Sequence, residues 1–259
     1  QLRVLDPQNS LILTRLDQLY RQLEQWEMWV ETAYQRVESI RRPEQRKEVL
    51  VEIAKVQEVE LGQLDEAIGT LRDVHELEPQ NIEILDELFR LLEIQNNMEG
   101  QLDTLRKKAN LVGALDAKKE LLFHIASLHR KRQQEIPPPA ALPPEGEMLE
   151  GEMLEGEMLE GEEAVVAPAP EVIVDTIREE AEEAMAATYR EILDLDGSDL
   201  KALRALQAYH QLNGDHEDVL DLLLRERQAL ASTEEDTFAL SQRIAQLQTS
   251  LERYREAIH

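Results

Sequence analysis

Residues 48–81 read EVLVEIAKVQEVELGQLDEAIGTLRDVHELEPQN. Val49, Leu50, Ile53, Val56 and Val59 recur at the i, i+3, i+4, i+7 spacing of one helix face, and Gly62 stands where that helix needs a C-terminal cap. A second stripe follows through Leu64, Ala67, Ile68, Leu71, Val74 and Leu77, and it ends at Glu78-Pro79. Proline disfavours the helical region for the residue before it, so the second helix stops there. Two helices joined by so short a turn form an antiparallel hairpin. A lone hairpin cannot bury its apolar faces, whereas stacked hairpins can.

Working outward, Pro7, Pro43 and Pro79 are spaced 36 residues apart, and a shift of 72 residues aligns the chain with itself. Leu5-Asp6-Pro7-Gln8-Asn9 falls on Leu77-Glu78-Pro79-Gln80-Asn81, Lys47-Glu48 on Lys119-Glu120, and Ile53-Ala54 on Ile125-Ala126. A third copy, Leu195-Asp196-Gly197-Ser198-Asp199, lies 118 residues beyond the second, an excess of 46 over the repeat. The first copy carries its own helical stripes, Leu13 to Leu23 and Trp26 to Val37. Helices of roughly 13 to 18 residues joined by short turns are expected throughout.

The stretch from Glu48 to Asn81 resembles a tetratricopeptide repeat, on Gly62 at the turn, Asp65-Glu66-Ala67-Ile68 opening the second helix and Leu77-Glu78-Pro79-Gln80-Asn81 closing it. Asn213-Gly214-Asp215 resembles the same turn, and Glu256-Ala257-Ile258 the same helix start. The resemblance implies an all-α fold, a right-handed superhelix of stacked antiparallel helix hairpins. Trp29 and Gln101 stand where small Ala67 would fall, so their hairpins are expected to splay or to pack in a shifted register. The chain opens at the end of one hairpin and closes inside another, which reads as a fragment of a longer array.

Three segments are expected: helical repeats over 1–134, an insertion over 135–174, and further repeats over 175–259. The insertion holds eleven Glu, no Asp and no basic residue, with seven of the ten prolines near or within it. Gly-Glu-Met-Leu-Glu occurs three times, from Gly146, Gly151 and Gly156. A five-residue period matches neither 3.6 nor 2, so it cannot line one face of a helix or strand. Composition assigns it to a disordered acidic tether. The alternative is a multivalent docking tract in which Met148, Leu149, Met153, Leu154, Met158 and Leu159 enter pockets on a partner.

Ala, Glu, Leu, Lys and Arg make up about half the chain, as in helical arrays, and the net charge is −26. Such a chain repels phosphate, so nucleic acid is not an expected partner. Cysteine is absent, which excludes thiolate metal sites. No run of 18 apolar residues is present, so no membrane insertion is expected. A cytoplasmic location is expected, with any targeting signal lying outside these residues. The six histidines show no i, i+4 pair and no HExxH, and there is no Gly-rich phosphate loop. His216-Glu217-Asp218 suits a helix start better than a metal. No catalytic, cofactor or metal residues are assigned, no small-molecule substrate is expected, and the chain is read as not an enzyme. Trp26 and Trp29 share a helix face and are read as core in preference to interface anchors. The basic run His129-Arg130-Lys131-Arg132 is expected to pair with the insertion or to neutralise a helix C-terminus.

The resemblance further implies a partner groove lined by first helices. By register it includes Leu11, Thr14, Gln18, Arg21, Val49, Glu52, Val56, Asp86, Arg90, Leu121, His124, Leu128 and Arg132. The lysine/asparagine clamp that chaperone-binding members use for a terminal carboxylate is not reproduced. The implied function is a non-catalytic protein–protein interaction scaffold. The alternatives are a structural segment of a large bacterial assembly, of envelope or motility type, and a regulatory array attached to an enzyme domain elsewhere.

Overall fold

A computed structural model describes residues 10–135, 170–231 and 238–258, and among them every regular element is an α-helix. In chain order these are α1 (Ser10–Gln22), α2 (Trp26–Ser39), α3 (Pro43–Val59), α4 (Leu64–Leu77), α5 (Ile82–Ile94) and α6 (Met98–Leu111). They are followed by α7 (Leu115–Glu135), α8 (Pro170–Leu195), α9 (Leu200–Asn213), α10 (His216–Ala231) and α11 (Phe238–Ile258). The chain divides into two compact units, residues 1–121 and 122–259, with α7 running from the first into the second.

In the first unit α1/α2, α3/α4 and α5/α6 pair as hairpins, and α2 packs on α3 and α4 on α5. Its core is continuous, from Trp29 and Ala33 through Ile53, Ala67 and Val74 to Leu85 and Leu92. Among the described residues, four inter-helix turns pass through the left-handed region at equivalent positions: Glu24 (φ 54°), Gly62 (φ 64°), Asn96 (φ 56°) and Gly214 (φ 78°). Gly and Asn tolerate that conformation, whereas Glu adopts it at a cost. Pro43 is the first residue of α3, where its missing N–H is no loss. Side-chain oxygens of Asn81, Asn97 and Asp199 accept from backbone N–H groups at the starts of α5, α6 and α9.

The two residues expected to disturb their hairpins are accommodated differently. Trp29 is fully buried and donates its indole N–H to Asp17, so it fills the α1/α2 interior as core. In α5/α6 the helices approach closely at Gly100, where a Cβ would lie 2.6 Å from Leu92 Cδ2. Gln101 beside it donates to the Leu92 carbonyl at 3.0 Å. The register there is shifted by one residue relative to Ala67.

Thr32, Thr70, Thr104 and Thr188 are all buried, one in each of α2, α4, α6 and α8. Each Oγ1 lies 2.8–2.9 Å from the carbonyl four residues earlier, which satisfies the hydroxyl inside the packed face. Thr32 and Thr104 stand 72 residues apart, and Thr70 and Thr188 stand 118 apart, matching the repeat and its excess.

In the second unit α8 packs on α9, α9 on α10 and α10 on α11. At 26 residues α8 exceeds the expected helix length, because Pro170 sits at its first position and no Pro or Gly interrupts the chain until Gly197. Helical backbone therefore covers 170–174, which composition alone places in the acidic insertion. The rest of that tract beyond Glu135, including all three Gly-Glu-Met-Leu-Glu copies, lies outside the described residues. Tyr189 packs against Phe123 at a ring separation of 6.3 Å, and Arg130 donates to its hydroxyl at 3.2 Å. Within the basic run, His129 is buried and Lys131 lies 3.7 Å from Glu135, the first carboxylate of the tract. No described helix is long and apolar enough to cross a membrane.

Candidate functional site

In the first unit the expected groove residues take three fates. Thr14, Gln18, Asp86 and Arg90 are exposed, as expected of a lining. Val49 and Val56 are corrected to core positions: both are buried, since the α3 stripe is wide enough to pack on both neighbouring helices. The side chain of Leu11 lies outside the described residues.

The charged members in this unit are already engaged in ion pairs. Arg21 of α1 meets Glu52 of α3 at 2.7 Å, and Arg90 of α5 holds Glu58 of α3 through both terminal nitrogens, at 2.6 and 2.8 Å. First helices are thus cross-linked by a ladder of ion pairs. The Arg21 hydrogen bond holds the Glu52 carboxyl below its ordinary range, and Arg90 does the same for Glu58. Both guanidinium groups are pushed up in return, chiefly by the same hydrogen bonds. Behind the ladder, buried Asp17 accepts from Trp29 Nε1 at 2.7 Å, Arg21 Nε at 3.1 Å and Arg36 at 3.2 Å. Arg21 also lies over the Trp29 ring, 4.6 Å from its centroid. Lys108 of α6 is paired with Asp86.

On α7, His124 and Arg132 are exposed and Leu121 is half-buried, whereas Leu128 is a further correction, being buried in the core.

An open cleft of about 480 Å³ lies in the second unit between α9, α10 and α11. Arg204, Gln207 and Gln211 of α9 face Glu226 and Leu230 of α10 and Leu240 and Arg243 of α11. Glu226 is buried, and its two oxygens accept from Arg204 Nε at 2.6 Å and Gln207 Nε2 at 2.8 Å. Arg204 binds through Nε, and its side chain is exposed. Arg243 donates to Gln211 at 2.8 Å. The cleft therefore offers two guanidinium groups and an amide above an apolar wall.

None of these cleft residues was named from the sequence, although the repeat points to them. Moved by the 190 residues separating the first and third copies, Thr14, Gln18 and Arg21 fall on Arg204, Ala208 and Gln211, and all three line the cleft. The same shift carries Asp17 to Gln207 and Arg36 to Glu226. A part-buried acid–base pair in the first copy is thus an amide–acid pair in the third.

Among the described residues, His210, Asp215 and Asp218 bring three possible ligand atoms within 4.8 Å. Turn geometry accounts for the grouping: Asp215 N donates to the His210 carbonyl at 2.9 Å, and His210 Nδ1 lies 3.0 Å from the Asp215 carboxylate.

No protein-family model matches the sequence, and no curated protein does. Solved structures similar to this chain include MamA, at 9% identity over 87% of this chain and 95% of that one, with a TM-score of 0.35. A tetratricopeptide repeat protein from Parabacteroides merdae is similar at 12% identity over 95% and 75%, with a TM-score of 0.34. A Podosopora anserina structure of kinesin light chain TPR-like repeats is similar at 14% identity over 89% and 99%, also at 0.34. With α1 to α6 and α9/α10 paired as antiparallel hairpins about equivalent left-handed turns, the fold is tetratricopeptide-like.

Proposed function

We propose that the chain is a non-catalytic protein–protein interaction scaffold whose partner enters the cleft between α9 and α11. The supporting observation is the coincidence of register and shape. Groove positions expected in the first copy, carried by the repeat to the third, line an open cleft with exposed Arg204 and Arg243. Its size suits one or two side chains of an extended segment, and its cations suit an acidic side chain flanked by apolar ones. Affinity capture with the intact chain and with Arg204→Glu/Arg243→Glu tests the reading. A protein retained by the first and lost by the second is the expected result. Equal retention by both removes the cleft from the proposal, and no selective retention removes the scaffold.

A second reading, a structural segment of a large assembly, is favoured by the first unit. There the ladder Arg21–Glu52 and Glu58–Arg90 commits first-helix charges to joining hairpins, which suits a stiff spacer. The Met-Leu pairs from Met148 to Leu159 are proposed as a further docking element, to be tested by deleting 146–160 in the same capture experiment.

A further inference from the structure

We infer that the turn edge of the first unit, where α1, α3 and α5 end, is a docking surface for a partner segment that is basic and apolar. Leu23, Val59 and Ile94 stand at or just beyond the ends of these three first helices, and they are 62%, 63% and 53% exposed. Met28 adds a fourth exposed apolar side chain. The turns are neighbours in space. Leu61 shares a 290 Å³ cavity with Glu24, Trp26 and Met28, and Gln95 donates to Asp65 across the next pair of turns.

Beyond Arg21 and Arg90, which are paired with Glu52 and Glu58, the charge on this edge has one sign. Residues 22–31, 58–66 and 93–101 contain no Lys, Arg or His. Carboxylates in the first turns of α2, α4 and α6 have an ordinary cause, the positive ends of those helices. Glu60 does not, since it caps the C-terminus of α3, where a negative charge is unfavourable. Glu24 is held at φ 54°, where the equivalent turns use Gly62, Asn96 and Gly214. Residues that cost local stability, beside apolar side chains of which three are more than half exposed, mark a surface kept for another molecule.

Charge selects the occupant. The chain's own insertion carries eleven Glu and no basic residue, and a second copy carries −26, so neither complements an acidic rim. A segment with Lys or Arg flanking Leu-like side chains does. It would set its apolar residues on Leu23, Met28, Val59 and Ile94 and its cations against Glu24, Glu27 and Glu60. The inference rests on the scaffold reading but uses a different unit from the cleft, so either surface can fail while the other stands.

The test is a titration of the intact chain with a fluorescein-labelled amphipathic helix of Lys and Leu, compared with the same helix bearing Ser for Leu. Hydrogen exchange should show protection at 22–31 and 58–64, and the Ser peptide should bind more weakly. Leu23→Ser/Val59→Ser/Ile94→Ser leaves the net charge unchanged and should weaken binding of the Leu peptide roughly ten-fold. Undiminished binding by that variant would reduce the contact to attraction between a polycation and an acidic protein and overturn the proposal. Protection confined to 204–243 would do the same. The exchange map is read on the unaltered chain, so it decides the matter even if the triple variant is poorly folded.

Discussion

The indole N–H of Trp29 donates to Oδ1 of Asp17 at 2.7 Å, and both residues are buried at the contact of α1 with α2. Where the resembling hairpin α3/α4 uses Ala67 for close approach, this hairpin fills the space with the largest side chain and ties it to a buried carboxylate. Trp29→Phe keeps most of the volume but removes one donor from Asp17, which retains Arg21 and Arg36. The expected loss is about 1–2 kcal/mol in urea unfolding. A loss too small to measure would mean the indole bond adds nothing to the hairpin.

The buried threonines divide into two kinds. Thr70 Oγ1 lies 2.7 Å from Gln57 Oε1 and 2.6 Å from the Tyr34 hydroxyl, so it joins α2, α3 and α4. The hydroxyls of Thr104 and Thr188 bond within their own helices. Thr70→Val should therefore cost about 1–3 kcal/mol, because it strands polar groups on two neighbours, while Thr104→Val and Thr188→Val cost less. Equal costs at the three sites would contradict the division.

Glu24→Gly should stabilise the chain, by about 0.5–1 kcal/mol, since it relieves a left-handed conformation that Glu disfavours. Gly62→Ala should destabilise it by a similar amount. Thermal midpoints of the two variants, measured side by side, check the sign of each. The same Glu24→Gly variant should bind the Lys/Leu helix less tightly, so stability and binding move in opposite directions.

The ion-pair ladder makes a pH prediction. The carboxyls of Glu52 and Glu58 are held below their ordinary value by Arg21 and Arg90, so they bind protons more readily when unfolded than when folded. The stability they contribute is present above the unfolded value near 4.5 and is lost as pH falls through their lower folded values. Arg90→Gln should flatten that part of the decline in thermal midpoint between pH 5 and pH 3. Because these groups are partly exposed, added salt should shrink the difference. An unchanged acid limb would show that the ladder contributes nothing.

Much of the fold was legible because helical period, Pro43, Pro79 and Gly62 are local signals that packing did not override. The ends of α3 and α4 fall where Val59-Gly62 and Leu77-Pro79 place them. The site was less legible. Val49 and Val56 face inward because a helix held between two neighbours buries a wider stripe than one groove register allows, and Leu128 is likewise buried. Glu24 gives no sign of a left-handed turn, since the residue there is neither Gly nor Asn. Arg204 and Gln207 had to be reached through the 190-residue shift, and burial of Glu226 depends on two partners from another helix, which no local pattern encodes.

The proposed partner of the second unit's cleft can be trapped in living cells. The most direct measurement places a photo-crosslinking residue at Ala208, which lines the cleft, and in a parallel chain at exposed Ala187 of α8. Both are expressed in the native host and irradiated in intact cells. A discrete crosslinked partner is expected from position 208, absent from position 187 and lost when Arg204→Glu/Arg243→Glu is added. Crosslinks that are equal at the two positions, or that persist in the double variant, would contradict the proposal.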